Sequence, residues 1–210
     1  MMKKTLCALA LMGIAATAQA GSITVESFDS VAGLVTKGFI LRNISTPMGA
    51  TNWFQGDQNI LTAQAGAPDT YIAANFNNAA PGGSIDNWII TPEFSTRYSA
   101  NISFFARAEL LAGFSDTLSF GGSTGGTNAA DFTLMPEFTV SGDWMRFDYN
   151  FAATGADTMG RFAIRYSGAA DSANYVGVDT LTIAVPEPSS SLMIGIGLLG
   201  LIAAYRRKQH

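Results

Sequence analysis

Between residues 21 and 185 apolar residues alternate with polar ones in short runs. Nowhere do they recur every 3.6 positions for long enough to make an amphipathic helix. Alternation at period two puts one side chain in and the next one out, which is the signature of a half-buried strand. Residues 101–109 show it cleanly, with Ile102, Phe104 and Ala106 on one face and Ser103, Phe105 and Arg107 on the other. Residues 144–151 set Met145, Phe147, Tyr149 and Phe151 against Arg146, Asp148 and Asn150, and residues 160–166 set Phe162, Ile164 and Tyr166 against Arg161 and Arg165. Similar runs occupy 22–28, 38–44, 70–76, 86–91, 114–120, 132–140 and 175–183, rich in β-branched and aromatic residues. Pro92 closes one run, and Pro136 interrupts another and marks an edge strand or a bulge, because proline cannot donate to a ladder. The glycine-rich stretch 121–126 reads as a flexible loop, and 45–66 is the least regular segment, suited to long loops. About ten short strands, each with one apolar and one wet face, predict antiparallel pairing. Two such sheets must cover each other, so the expected fold is an all-β, jelly-roll-type β-sandwich.

The two ends obey different rules. Residues 1–20 begin Met1-Met2-Lys3-Lys4, continue through an apolar run from Leu6 to Ala16, and finish Ala18-Gln19-Ala20. A basic start, a short apolar centre and a small-x-small finish predict a secretory signal peptide, helical and cleaved after Ala20. After Val185 the chain reads Pro186-Glu187-Pro188 and three serines, then an apolar run from Leu192 to Tyr205, then Arg206-Arg207-Lys208. The run has no polar face, which argues against a helix packed on a core. It is short for a bilayer but acceptable in a thin or deformed one, and its basic end should stay cytoplasmic. The expected organisation is therefore a signal peptide at 1–20, a sandwich at 21–185 and a hydrophobic helical tail at 186–210.

Composition narrows the chemistry of the middle. The only cysteine, Cys7, lies in the signal peptide, and the only histidine, His210, is the last residue. The mature body therefore has no disulfide, no thiol nucleophile, no Ser-His-Asp or Cys-His apparatus, and none of the usual zinc or iron ligands. Cys7 precedes most of the apolar region, which argues against a lipoprotein anchor. Seven basic and fifteen acidic residues remain between 21 and 185, about −8 in net charge. Such a body disfavours nucleic acid and anionic membrane surfaces as partners. A carboxylate pair of the kind used in glycoside hydrolysis remains available, but nothing in the spacing of the acids selects a pair.

Pro186-Glu187-Pro188, a greasy segment and the cluster Arg206-Arg207-Lys208 resemble the PEP-CTERM sorting signal of Gram-negative bacteria. The resemblance implies that the tail is recognised through the Pro-Glu-Pro motif and removed by a membrane protease of the exosortase class. It also implies export by the Sec machinery, transient anchoring in the inner membrane, and delivery to the cell surface or an extracellular matrix linked to exopolysaccharide or biofilm. The pattern Gly195-Ile196-Gly197-Leu198-Leu199-Gly200 matches a dinucleotide fingerprint literally, but it lies inside this tail rather than between a strand and a helix.

In the body, Asn52-Trp53-Phe54-Gln55-Gly56, the stretch from Tyr71 to Phe76, Asp86-Asn87-Trp88-Ile89-Ile90-Thr91-Pro92, and the later runs from Arg161 to Tyr166 and from Tyr175 to Asp179 resemble the choice-of-anchor J domain. That domain is a relative of cleaved-adhesin and MAM-like jelly rolls. One departure is at the start, where no Gly-Trp follows Phe28, only Gly38-Phe39. The resemblance implies fold more than ligand. In related jelly rolls the first and last strands lie together and often hold a structural calcium, which would here use Glu26 or Asp29 with Asp179. The alternative is that Glu26 and Asp29 face solvent and Asp179 caps a bulge. Trp53, Trp88 and Trp144 would stack on sugar rings if exposed. Core packing is preferred for Trp88 and Trp144, while Trp53, among Asn52, Gln55 and Asp57, is open to either role. The expected function is a non-enzymatic structural or adhesive surface module without a required cofactor, the alternatives being a two-carboxylate carbohydrate hydrolase and a protein-binding receptor-like module.

Overall fold

The computed structural model describes residues 22–155 and 158–185. Among these the chain makes fourteen strands: β1 (Ser22–Glu26), β2 (Ile40–Asn43), β3 (Thr46–Met48), β4 (Phe54–Gln55), β5 (Ile72–Asn75), β6 (Ala79–Ile90), β7 (Phe94–Ser95), β8 (Ala100–Ala108), β9 (Thr117–Ser123), β10 (Thr133–Leu134), β11 (Phe138–Thr139), β12 (Met145–Phe151), β13 (Met159–Ala169) and β14 (Tyr175–Val185). Six form one antiparallel sheet in the order β12-β8-β14-β5-β4, with β1 also paired to β14. Eight form the other in the order β10-β9-β13-β6-β2, with β11 on β9, β3 on β6 and β7 on β13. The two sheets stack as an all-β sandwich. The expected terminal helices at 1–20 and 186–210 lie outside the described residues.

Alternation in the sequence becomes the inner layer. Ile102, Phe104 and Ala106 of β8, Val176 and Val178 of β14, Ile85 and Ile89 of β6, and Phe162, Ile164 and Tyr166 of β13 belong to one buried cluster. Burying each of the Val, Ile and Phe side chains among them stabilises the fold by about 1.5–3 kcal/mol. Aromatic rings close the gap between β12 and the β9–β11 edge. Phe147 stacks on Phe138 at 4.4 Å and on Phe104 at 5.3 Å, while Phe120 meets Phe104 edge-on at 5.2 Å. Such pairs add about 0.5–1.5 kcal/mol beyond area burial.

Three expectations need correction. Gly121 and Gly122 are not loop residues but lie buried inside β9. Close packing demands glycine there, because a Cβ on Gly121 would sit 2.0 Å from the Thr133 carbonyl oxygen and one on Gly122 would sit 2.4 Å from the Phe151 ring. The stretch 45–66 keeps its irregular character, holding only the short β3 and β4 between loops. Phe114, expected to open a strand, lies exposed before β9 begins. The outer faces are also not simply wet. Phe132, Trp88, Ile90 and Ala163 form a buried cluster outside the eight-stranded sheet. Leu61, Tyr71, Ala73 and Tyr175 do the same outside the other, with Trp144 packed against them. By contrast, Pro136 separates β10 from β11 as its chemistry requires.

The two ends of the body leave from one pole. In the pairing of β1 with β14, Ser22 stands opposite Val185. At the other end of β14, Tyr175 pairs with Asn75, and Val176 pairs with Ala108. The loops after β5, β8 and β13 therefore gather at the opposite pole. Eleven strand residues at about 3.3 Å each separate the two poles by roughly 35 Å.

Candidate functional site

At the pole away from the two chain ends, three loops enclose a cleft of about 330 Å³. Phe76 comes from the turn after β5, Leu111 and Phe114 from the β8–β9 loop, Asp171 and Asn174 from the β13–β14 loop, and Pro81 from β6. Backbone hydrogen bonds stitch the loops together. Phe76 N–H donates to the Asn174 carbonyl at 3.0 Å, Ser115 N–H to Ser172 at 2.8 Å, and Glu109 N–H to Tyr175 at 3.0 Å. Gly82 N–H donates to Asp171 Oδ1 at 2.8 Å, and the Asn75 side chain caps the turn by accepting from Asn77 N–H.

Beneath the cleft sits Asp116, 1% exposed. Its Oδ1 accepts from the Tyr166 hydroxyl and from Asn174 N–H at 2.9 Å, and its Oδ2 accepts from Tyr175 N–H at 3.2 Å. Burial pushes the Asp116 carboxyl above the ordinary aspartate range; the three donors oppose that shift, and the nearby Glu109 charge adds to it. Asn174 is held a second time by its side chain, which donates to Glu109 Oε2 and to the Glu109 carbonyl, each at 3.1 Å.

Large apolar side chains remain open around this framework. Phe76 is 44% exposed, Phe114 42% and Leu111 51%. An apolar cleft with a few converging polar groups is the ordinary form of a small-ligand site. A larger concavity of about 480 Å³ lies beside β2 but is open to solvent, and its polar side chains are already engaged. Asn43 donates to the Thr51 and Asn78 carbonyls, and Arg42 to the Thr127 carbonyl. We therefore place the candidate site at the smaller cleft.

The residues singled out from sequence lie elsewhere. Trp53 is 5% exposed and meets Tyr166 edge-on at 6.3 Å inside the main core. A ring buried between the sheets offers no face to a sugar, so stacking by Trp53 is corrected to packing. Trp88 and Trp144 also pack, Trp144 donating its Nε1–H to the Thr62 carbonyl at 2.8 Å. Glu26 faces a cation, but the cation is Lys37, whose Nζ donates to Oε2 at 2.8 Å while Phe28 N–H donates to Oε1 at 2.9 Å. Asp29 is exposed. Asp179 Oδ2 accepts from Gln64 and Ala65 N–H at 2.8 and 3.1 Å, and its Oδ1 accepts from Thr180 N–H at 2.6 Å. Burial pushes this carboxyl up as well, against those donors. The register shifts between Asp179 and Thr182, and Thr180 has a left-handed φ of 49°, so Asp179 caps a bulge and ties it to the loop above. With an ammonium and a backbone N–H on the Glu26 oxygens, backbone N–H groups on those of Asp179, and Asp29 exposed, the three do not fit a calcium site. Among the described residues no three His, Cys, Asp or Glu side chains are grouped to hold a metal. The sorting residues Pro186, Glu187 and Pro188 and the cluster Arg206, Arg207 and Lys208 lie outside the described residues.

Sequence reasoning missed the cleft because its walls come from three loops distant along the chain. Phe76 among asparagines and Phe114 after Gly113 were the available signals, being aromatics beside turn residues.

Comparison with known proteins agrees with this architecture. The model for the PEP-CTERM protein-sorting motif matches residues 184–208, and that for the Cleaved Adhesin Domain matches residues 16–182. The K1 cleaved adhesin domain of Lys-gingipain from Porphyromonas gingivalis superposes with a TM-score of 0.58 at 17% identity, over 80% of this chain and 100% of that domain. The K3 domain gives 0.58 at 17% identity over 79% and 99%, and the K2 domain gives 0.56 at 19% identity over 78% and 100%. No curated protein matches the chain. At such identities the likeness to these structures concerns the fold.

Proposed function

The chain belongs to the cleaved adhesin family, and from that premise we propose that its body is an exported, non-catalytic adhesive module that binds a matrix glycan through the cleft between Phe76, Leu111 and Phe114. The sorting motif at 184–208 supports export and processing by an exosortase-type protease, with the Sec machinery and a transient inner-membrane stage preceding release to the surface. The observation that carries the reading is positional. Exposed aromatic side chains concentrate at one pole, and both connections to the flanking segments leave from the other. A module tethered through residue 185 thus presents the cleft at its far end, where a partner in the surrounding matrix can reach it.

The chemistry suits sugar. The C–H face of a pyranose lies against an aromatic ring, while amide and carboxylate groups at the rim take its hydroxyls. The same cleft has no nucleophile–base pair. Asp116 is buried beneath it with both oxygens engaged, and Asp171 is the acid among its lining residues. These features support binding without turnover.

The test uses the mature protein and the producing organism's own exopolysaccharide fraction. Phe76→Ala and Phe114→Ala should each weaken capture severalfold with the melting temperature held within a few degrees, since both side chains are already partly exposed. Trp53→Phe should leave capture unchanged. Full binding by the Phe76→Ala/Phe114→Ala double variant would remove the cleft from consideration, and release of reducing sugar by the wild type would replace adhesion with hydrolysis.

A further inference from the structure

The cleft carries a sign as well as a shape. Among the described residues no Lys, Arg or His lines it. Asp171, at its rim, accepts Gly82 N–H on Oδ1, and among the described residues Oδ2 has no donor. Glu109 stands behind Asn174 with Oε2 on the Asn174 amide, and the Asp116 carboxylate lies below. The nearest functional groups therefore present negative charge to an apolar site walled by Phe76, Leu111 and Phe114. An anionic sugar, a uronate or a sulfated or phosphorylated residue, would meet repulsion there with no compensating cation.

Resting on the glycan reading above, we propose that the preferred ligand is a polysaccharide with free amino groups, one ammonium-bearing sugar residue sitting in the cleft with its amine on Asp171. The ring lies against the aromatic wall, and the ammonium donates to Asp171 Oδ2. The field of Glu109 and Asp116 favours the charged form of the amine from behind. A cleft of about 330 Å³ is at the lower end of the range for small-ligand pockets, about 300–1,000 Å³, which suits one or two sugar rings. A lysine side chain shares the charge but brings a narrow stem, which would leave much of the apolar wall uncovered.

The asparagine variant Asp171→Asn separates this proposal from the structural role of Asp171, because its amide oxygen can still accept Gly82 N–H. With a glucosamine oligomer as probe, wild type should bind more tightly than it binds the same oligomer N-acetylated. Asp171→Asn should lose about tenfold toward the free amine, the size of one partly exposed charge-assisted hydrogen bond, and little toward the acetylated chain. Binding should weaken as salt rises from 0.05 to about 0.5 M, since the Debye length contracts. Equal affinity for the amino and acetylated oligomers, with Phe76→Ala still damaging both, would overturn the amine inference and keep the cleft. Loss of neither on Phe76→Ala would overturn the cleft itself. Tighter binding of a lysine-rich peptide than of any amino sugar, abolished by Asp171→Asn, would also overturn the proposal in favour of a protein partner.

Discussion

Replacing Asp116 by alanine should be the most damaging single change beneath the cleft. Three donors converge on its carboxylate, namely the Tyr166 hydroxyl and the N–H groups of Asn174 and Tyr175. Tyr166 is fully buried and Tyr175 is 3% exposed, so water reaches neither donor easily. Each buried donor left without an acceptor costs about 1–3 kcal/mol, and the partly buried Asn174 N–H costs less. Against this, removing a buried charge returns some of the desolvation that raises the Asp116 pKa. The net loss should be about 3 kcal/mol. For a body of 165 residues that is a fall of roughly 6–12 °C in melting temperature. Urea unfolding of the mature protein, followed by fluorescence, measures it. Tyr166→Phe removes one of the orphaned donors, so Asp116→Ala/Tyr166→Phe should be less destabilised than the two single losses added together, by about 1 kcal/mol. Because Asn174 loses a backbone anchor, glycan capture should weaken along with stability. A loss below about 1 kcal/mol for Asp116→Ala, or strict additivity in the double variant, would refute this account of the network.

Other consequences follow from the same geometry. Burial raises the folded-state pKa of both Asp116 and Asp179. A carboxyl raised above its unfolded value near 3.9 binds its proton more readily when folded, so its penalty is full at neutral pH and is relieved as pH falls through the folded pKa. Wild type should therefore gain melting temperature relative to Asp116→Asn between neutral pH and about pH 4; parallel curves would count against it. Gly121→Ala sets a Cβ against the Thr133 carbonyl and should force β10 away from β9, costing about 2–3 kcal/mol and red-shifting tryptophan emission as the cover over Trp88 opens. Asn87 is fully buried with neither side-chain atom hydrogen-bonded to protein. Asn87→Leu keeps the same branched outline with somewhat bulkier methyl groups, and should stabilise the sandwich by up to about 1 kcal/mol in urea unfolding; a fall in stability would contradict that. Lys37→Met removes the partner of a Glu26 side chain that is 7% exposed, but Lys37 itself is half exposed, so the loss should stay near 1 kcal/mol in a thermal melt.

Period-two alternation is a local property, and it was legible. The strands of residues 101–109 and 144–151 appear in the structure within a residue at either end, that of 160–166 starts one residue early and runs on to Ala169, and the sorting motif was readable because such signals are linear by nature. Which outer faces stay dry was not legible, because the cover over Trp88 comes from residues about 40 positions later and the cover over Tyr71 from a loop read as irregular. The chain by itself determined that it makes paired strands, carries no thiol in its body and ends in an address, since each follows from residue type and spacing. Only the tertiary structure decided that Glu26 meets Lys37, that Trp53 is core, and that Phe76, Phe114 and Asp171 share a cleft. Those are meetings between residues 11 to 113 positions apart, set by which strands pair and how two sheets stack, and no local period carries that information.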